Sequence, residues 1–211
     1  MKNTAVLYIH GKGGNAAEAE HYRGLLPDAE VIGFDYRAET PWDAAPEFAA
    51  FVAGLGHEHI VLIANSIGAY FSMSSGIADS IERAFFVSPI VSMEKLIESM
   101  MTWANVTERQ LEAEKTIETA FGETLSWDYL SYVRTHPIAW DVPTEILYGE
   151  TDHLQSPDTV RSFAEAHNAG FTVMPGGEHW FHTPEQMRFL DDWIAAAPWG
   201  LGRIDRIMDK K

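Results

Sequence analysis

The chain has 211 residues, of which 46% are hydrophobic and 22% charged, a composition typical of a globular protein with a sizeable core. Its formal net charge of −16 argues against binding to nucleic acids and to anionic membrane surfaces, because both partners require a basic face. The absence of cysteine excludes disulfides, thiol chemistry and thiolate metal sites.

Short apolar runs, rich in β-branched and aromatic residues, alternate with segments of helical character. The runs cover residues 5–9, 30–34, 59–64, 83–87, 144–148 and 171–174. Most of them are continuous rather than alternating, as expected of strands that are covered on both faces. Because strands separated by helices form βαβ units, the sequence predicts an α/β protein with a parallel sheet.

The predicted helices are marked by capping residues and by first-turn prolines. Proline is tolerated in the first turn because an N–H at that position has no partner within the helix. These signals predict helices that start at Asn15, at Ser156 and at Thr183. A further helix is predicted over 47–55, with Pro46 in its first turn.

Only helical patterns are predicted between the fourth and the fifth strand. Three capping residues mark the starts of the helices there: Ser92, Thr107 and Ser126. The second of these helices is expected to run to Gly122. Helices inserted between two strands of one sheet predict a helical cap over about residues 90–142, within a single domain over residues 1–211.

The first of these helices carries an apolar stripe at helical spacing. Its members are Met93, Leu96, Ile97, Met100 and Met101. The stripe fits ordinary helix packing, and it also fits an adaptable apolar roof over a ligand, because methionine side chains are unbranched and flexible. The two interpretations are compatible.

A serine stands at the junction of the third predicted strand and the next helix, in the stretch VLIANSIGAYFSM (61–73). Ser66 follows the strand, and the small residues Ala64 and Gly68 on either side allow a sharp turn. The first amides of the helix, predicted over about 67–75, are unpaired and can bind an oxyanion. Taken alone, the stretch fits both a helix-capping serine and a nucleophile.

Loops after other strands carry the remaining polar candidates. The first strand ends in HGKGG (10–14), which is not a Walker phosphate loop because no Ser or Thr follows Lys12. Asp152 follows the fifth predicted strand, and His179 follows the sixth. Serine, acid and histidine therefore come in this order at the carboxyl edge of the sheet, where open parallel sheets bind ligands.

In this combination of motifs the chain resembles the α/β-hydrolases, in which a strand–elbow–helix carries the nucleophile and the triad order is Ser, acid, His. The resemblance covers about residues 4–196 and begins at the family's third strand. It implies a three-layer α/β-hydrolase fold of about six parallel strands flanked by helices, with a helical cap insertion. The elbow reads Ala-Asn-Ser-Ile-Gly (64–68), where the common form is Gly-x-Ser-x-Gly.

The resemblance also implies a role for each site residue. Ser66 would attack a carbonyl, His179 would take and return its proton, and Asp152 would hold the imidazole. The oxyanion would be bound by the backbone amides of Lys12 and Ile67. The side chain of Lys12 is expected to be solvated.

Several residues compete for these roles. His182 is an alternative to His179 as the base. Glu150 and Asp158 are alternatives to Asp152 as the acid, and Glu150 is the better of the two, because an acidic residue in the first turn of a helix, such as Asp158, has a structural role there. The cluster His-Glu-His (57–59) has no convincing zinc spacing, so we expect no metal.

Aromatic and flexible side chains of the cap and of the histidine loop are candidates for a substrate pocket. The predicted lining is Gly11, Met100, Trp103, Trp127 and Trp180. For each aromatic residue among them, ordinary core packing is the alternative.

The resemblance implies a serine hydrolase that cleaves a small carboxylic ester, or a thioester, through an acyl-enzyme and without a cofactor. An amidase of the same mechanism and a non-catalytic small-molecule receptor on the same fold are the alternatives. We expect a small-molecule acyl substrate, no nucleic acid, no membrane insertion and a cytoplasmic protein, with a homodimer left open. Residues 198–211 fit either a loose tail or a short helix.

Overall fold

The computed structural model describes residues 4–197 and Trp199. Its strands, in chain order, are β1 (Thr4–Ile9), β2 (Glu30–Phe34), β3 (His59–Asn65), β4 (Arg83–Val87), β5 (Thr116–Glu118), β6 (Thr124–Ser126), β7 (Thr144–Gly149) and β8 (Gly170–Met174). Six of them form a parallel sheet in the order β2-β1-β3-β4-β7-β8, which confirms the predicted strands to within one residue at each end.

The order in which successive strands join the sheet reverses at β1, which lies between β2 and β3. Tyr8 of β1 pairs with Gly33 on one side and with Ile63 on the other. The loops after β1 and β3 therefore leave neighbouring strands at the point where the strand order reverses. In open parallel sheets a crevice forms at the carboxyl edge there, and ligands bind in it.

Helices cover both faces of the sheet and make the fold three-layered, as predicted. They are α1 (Ala19–Leu25), α2 (Pro41–Gly54), α3 (Ile67–Ser74), α4 (Met93–Trp103), α5 (Glu108–Glu114), α6 (Trp127–Thr135), α7 (Pro157–Ala166) and α8 (Pro184–Ala196). On one face α1 and α8 bury Tyr22 and Leu190 in one apolar cluster. On the other face α2, α3 and α7 bury Phe48, Phe71 and Phe163 in a second, larger cluster.

The predicted capping signals at Asn15, Ser156 and Thr183 are confirmed, since each side chain accepts a hydrogen bond from a first-turn amide. The prediction around Pro46 was wrong. The helix starts earlier, at Pro41, because the side chain of Thr40 caps it, and Pro46 lies inside it.

The segment between β4 and β7 contains a feature that the sequence pattern did not predict. The helix expected to reach Gly122 ends at Glu114, and Lys115 follows at a φ of 69°. The β-branched Thr116 and Ile117 then open a short antiparallel hairpin of β5 and β6, in which Gly122 takes a φ of 84°. The expectation that this segment holds helices alone was therefore wrong.

We call residues 88–143 the insertion. Its helices and hairpin pack on the larger core cluster through Leu125 and Leu130, which are fully buried. Arg134 of α6 joins the three helices, because its guanidinium contacts Glu94 of α4 and Glu108 of α5, each at 2.7 Å. The hydrogen bond from Arg134 lowers the pKa of the Glu108 carboxyl from its ordinary value.

Residues 198–211, for which the sequence left a tail and a helix open, lie outside the described residues except for Trp199. The ring of Trp199 packs on Phe85 of β4 at a centroid distance of 4.3 Å. Within residues 4–197 and Trp199, no helix combines the length and the apolar character needed to cross a bilayer.

The close approach of α3 to β1 generates a prediction. Gly68→Ala should destabilise the protein by about 2 kcal/mol or more, because the added Cβ would lie 2.3 Å from the carbonyl oxygen of His10. Gly24→Ala in α1 is the control: its Cβ meets nothing within 4 Å, so stability should hold or rise by up to about 1 kcal/mol. Urea unfolding measures both variants, and equal stabilities would contradict the tight contact at Gly68.

Candidate active site

Ser66 lies at the sharp turn between β3 and α3, in a backbone conformation that side chains rarely adopt. Its φ is 50° and its ψ is −121°, a strained combination for a residue other than glycine. The turn is held in place because the amide of Ser66 donates to Val87 of β4 at 3.0 Å and the amide of Ile90 donates to the Ser66 carbonyl at 3.1 Å. The side chain of Ser66 makes no capping hydrogen bond to α3, so the helix-capping interpretation does not describe it.

The structure brings Ser66, Asp152 and His179 together in one chain of hydrogen bonds. Nε2 of His179 lies 2.8 Å from Oγ of Ser66, and Nδ1 lies 2.7 Å from Oδ2 of Asp152. Because a carboxylate only accepts, Nδ1 carries the proton, and Nε2 is free to accept from the Ser66 hydroxyl. The side chain of Asp152 has no exposed surface, and its Oδ1 accepts the amide of Leu154 at 2.8 Å.

The loops after β7 and β8 are joined by several contacts, which set the positions of the acid and the histidine. The amide of Thr151 donates to the carbonyl of Gly177 at 2.8 Å. The amide of Gly176 donates to the carboxylate of Glu150 at 2.8 Å, so the rival acid holds the neighbouring loop instead. Gly149 is needed at the end of β7, since a Cβ there would lie 2.3 Å from the carbonyl of Glu178.

The other rival residues have partners elsewhere. Nδ1 of His182 lies 2.7 Å from the Trp180 carbonyl, and its ring stacks on the Trp180 ring at 4.4 Å. Asp158 lies in the first turn of α7. His57 and His59 contact glutamates on other strands or loops, and among the described residues no group of three or more His, Cys, Asp or Glu could hold a metal ion.

The glycine-rich loop after β1 lies beside Ser66. The amide of Gly14 donates to the carbonyl of Gly11 at 3.1 Å, and Gly13 takes a φ of 76°, so Lys12 and Gly13 form the tip of a tight turn. A Cβ on Gly11 would lie 3.1 Å from the Cβ of Ser66, which shows how closely the loop approaches the serine. The Lys12 side chain is exposed, yet it pairs with Glu123 of the insertion, a contact that the expectation of a purely solvated lysine missed.

A polar network beneath this loop was also missed by the sequence analysis. The Tyr8 hydroxyl donates to the Glu18 carboxylate and accepts from the Asn65 side-chain amide at 2.9 Å. The same carboxylate accepts the amide of Asn15 at 3.2 Å, which ties the loop to the start of α1. Burial, the neighbouring Tyr22 and the hydrogen bond to Glu18 raise the pKa of Tyr8 above its ordinary value. The sequence did contain one signal for this network, namely Tyr8, a tyrosine within the otherwise apolar run of β1.

Two cavities meet at the serine. One, of about 570 Å³, is lined by His179, Trp180 and Tyr22 among others, and we call it the histidine-side cavity. The other, of about 840 Å³, extends under the insertion, and we call it the insertion-side cavity. The residues lining both are Gly11, Lys12, Gly13, Ser66 and Leu154.

The predicted pocket residues divide between these cavities. Gly11 lines both, Met100 and Trp103 line the insertion-side cavity, and Trp180 lines the histidine-side cavity. Trp127 lines neither of the two: it packs against the larger core cluster, as the alternative of core packing expects, and Lys115 Nζ lies 5.7 Å from the centroid of its ring.

The apolar stripe of α4 packs in the larger core cluster and also lines a cavity, so its position fits both interpretations of its spacing. Four of its residues line the insertion-side cavity: Met93, Leu96, Ile97 and Met100. Met101, the fifth, packs in the core cluster beneath.

Solved structures share this architecture. A protein of Agrobacterium vitis S4 classed as a hydrolase superposes with a TM-score of 0.75 at 15% identity, covering 92% of this chain and 87% of that one. The chain has the α/β-hydrolase fold. Alpha/beta hydrolase domain-containing protein 10 from mouse matches with a TM-score of 0.70 at 14% identity over 90% of this chain and 87% of that one. Est1E from Butyrivibrio proteoclasticus matches with a TM-score of 0.69 at 16% identity, over 92% of this chain and 87% of that one.

No protein-family model matches the sequence, and no curated protein does either. The motifs of the sequence resemble those of the α/β-hydrolases, and the three-dimensional arrangement of strands and helices shows the fold. The predicted fold class is confirmed, including the sheet of six parallel strands flanked by helices.

The hydrogen bond between Asp152 and His179 generates a prediction about the reactivity of Ser66. Asp152→Asn should slow the labelling of Ser66 by a fluorophosphonate on the order of 10⁴-fold, because the wrong imidazole tautomer would face the serine. Glu150→Gln is the matched control, since an amide oxygen can still accept from Gly176 and the labelling rate should hold. Mass spectrometry of the labelled protein follows both rates, and equal slowing in the two variants would contradict the assignment of the acid.

Proposed function

We propose that the protein is a serine hydrolase that cleaves a small carboxylic ester through an acyl-enzyme intermediate. The observation that carries the proposal is the unbroken chain of hydrogen bonds from the Ser66 hydroxyl through His179 to Asp152. The neighbouring folds support it, because they include a marine microorganism esterase, a thioesterase domain from the curacin biosynthetic pathway and a monoacylglycerol lipase of Paleococcus ferrophilus.

In the first step, Oγ of Ser66 attacks the ester carbonyl carbon while Nε2 of His179 takes the hydroxyl proton. The carbonyl oxygen becomes an oxyanion. Ile67 is the first residue of α3, so its amide lacks an intrahelical partner, and Lys12 stands at the tip of the glycine-rich turn beside the serine. These two backbone amides are the proposed donors to the oxyanion.

The two cavities suggest where the parts of the ester lie. The leaving alcohol must receive the proton that His179 holds, and His179 lines the smaller cavity. The acyl group would then extend from Ser66 into the larger cavity under the insertion, whose wall includes Ile67 and Phe71. In this arrangement the insertion acts as the cap over the acyl group.

The remaining steps complete the formation of the acyl-enzyme and then hydrolyse it, with His179 acting in turn as acid and as base. The tetrahedral intermediate collapses, the bond to the leaving oxygen breaks, and Nε2 of His179 gives its proton to that oxygen, which leaves as the alcohol. A water then attacks the acyl-enzyme carbonyl, and His179 takes its proton. The carboxylic acid departs as the proton returns to Ser66. Asp152 stays ionised throughout and stabilises the imidazolium.

An uncharged acyl group suits the site best. The wall under the insertion is formed largely by apolar side chains, including Met93 and Leu96, where an ionised group would lose its hydration. The net charge of −16 also disfavours anionic substrates. Thioesters and amides would react by the same steps, and a panel with matched acyl groups and different leaving atoms distinguishes the three classes.

Substitution of the nucleophile tests the proposal. Ser66→Ala should abolish both fluorophosphonate labelling and the hydrolysis of short p-nitrophenyl esters, with a loss of about 10⁵-fold or more in kcat. Ser74→Ala in the same helix is the control and should retain both activities, because its hydroxyl donates to the Phe71 carbonyl at 3.3 Å and Ser74 lines neither of the two cavities.

The time course adds a second readout. A burst of p-nitrophenol equal to the enzyme concentration is expected where deacylation is slow, because the acyl-enzyme then accumulates. Folded native protein that neither labels nor hydrolyses any of these esters would favour the receptor interpretation.

A further inference from the structure

The exposed large apolar side chains of the described residues all lie around the two cavities. They are Trp42, Trp103, Phe121 and Trp180, and Trp180 is the most exposed of them, at 73%. The first three line the insertion-side cavity, and Trp180 lines the histidine-side cavity. Single exposed apolar residues are common on protein surfaces, but a distribution confined to the cavities that meet at Ser66 indicates ligand binding.

Trp180 is held in a fixed orientation although it is so exposed. Its ring stacks on the ring of His182 at a centroid distance of 4.4 Å and an interplanar angle of 18°. His182 is itself anchored, because its amide donates to the side chain of Gln186 in α8 at 3.0 Å. An aromatic ring that is already ordered loses little conformational freedom when a ligand binds to it.

The uncovered part of the Trp180 ring borders the histidine-side cavity. Trp180 lines this cavity and His182 does not, so the face that His182 covers is not the surface that the cavity meets. Trp180 also follows His179 directly in the chain, and both line the cavity. The uncovered surface of the ring therefore lies beside the base that protonates the leaving oxygen.

A planar, uncharged aromatic group fits this surface. The cavity wall nearby includes the apolar side chains of Phe181 and Met187. The ionisable side chains of the wall are bonded to other side chains, since Lys12 contacts Glu123, His21 contacts Asp191 and Glu18 accepts from Tyr8. Stacking on an aromatic ring stabilises an aromatic ligand beyond the burial of its area. The volume of about 570 Å³ accommodates such a group.

We propose that Trp180 binds the leaving alcohol of the ester and that this alcohol carries an aromatic ring, which stacks on Trp180 when the ester carbonyl lies at Ser66. This inference rests on the proposed function, because it places the leaving group in the histidine-side cavity. It adds a substrate class, esters of aromatic alcohols, that the Ser66–His179–Asp152 geometry alone does not specify.

The test compares benzyl, 2-phenylethyl and 3-phenylpropyl acetates with the cyclohexyl analogue of each. The saturated ring is at least as large and as apolar, so burial of area alone does not favour the aromatic ester. Varying the spacer samples the distance between Ser66 and Trp180. For at least one spacer, the native protein should prefer the aromatic ester by about 3- to 10-fold in kcat/KM. All these esters form the same acetyl-enzyme, so where deacylation is slow the preference should appear in KM and not in kcat.

Trp180→Leu removes the ring and keeps an apolar side chain. It should reduce the preference to about one, with a larger loss of kcat/KM on the aromatic ester than on its cyclohexyl analogue, and Trp180→Phe should retain part of the preference. Trp103→Leu is the matched control, because Trp103 is also an exposed tryptophan but lines the other cavity. The preference should persist in this control. Circular dichroism and fluorophosphonate labelling of Ser66 check that each variant folds with a reactive serine.

A cationic alcohol is the alternative ligand for the face of a tryptophan. It is tested by comparing 2-(trimethylammonio)ethyl acetate with 3,3-dimethylbutyl acetate, its uncharged isostere. A preference for the cationic ester that Trp180→Leu removes would overturn the assignment to an aromatic alcohol.

The outcomes separate this inference from the proposed function. Hydrolysis of the acetates without a preference for any aromatic ester, or a preference that survives in Trp180→Leu, overturns the role of Trp180 alone. Absence of hydrolysis together with absence of Ser66 labelling in the native protein overturns the proposed function and this inference with it.

Discussion

The strained turn at Ser66 is the constraint on which the site depends. A residue with a side chain is held at a φ of 50° because β4 binds its amide, the chain after β4 binds its carbonyl, and Gly68 lets α3 approach β1. Such a conformation persists only where the surroundings over-determine it. The turn lifts the hydroxyl above the sheet edge, between the glycine-rich loop and the histidine. Packing of the central sheet therefore supplies the energy that keeps the serine in this position.

The proposed catalytic residues and much of the wall of the larger cavity lie on different parts of the chain. The serine, the acid and the histidine follow β3, β7 and β8, and contacts between the last two loops fix their spacing. A large part of the wall of the larger cavity comes from α4, the hairpin and α6 of the insertion, and another part from residues 36–42 after β2. Because the insertion is tied together by Arg134 and by its own apolar contacts, its inner surface can change without altering the hydrogen bonds at Ser66. The solved structures with this fold, at 14–16% identity, show how far sequences diverge on a common sheet.

The sheet could be predicted from the sequence because buried parallel strands are continuous apolar runs, a local signal. The nature of Ser66 could not be decided locally, since a capping serine and a serine at a strained turn follow a strand in the same way. The end of α5 was missed because Ala113, Ile117 and Ala120 keep helical spacing, although Lys115 breaks the helix at a positive φ. Trp127 and Tyr129 are two residues apart, and only the tertiary packing shows that Trp127 packs against the core cluster while Tyr129 lines the cavity.

The ion pair between Lys12 and Glu123 links two parts of the cavity wall that are far apart in the sequence. It joins the glycine-rich loop to the hairpin across the wall of the larger cavity, and side-chain exposures of 67% and 37% leave it open to solvent and salt. A pair of this kind contributes at most about 1 kcal/mol, comparable to thermal energy. The Lys12–Glu123 ion pair therefore breaks and re-forms at little cost in free energy. Higher ionic strength should shift it toward the parted state without disturbing the buried groups below.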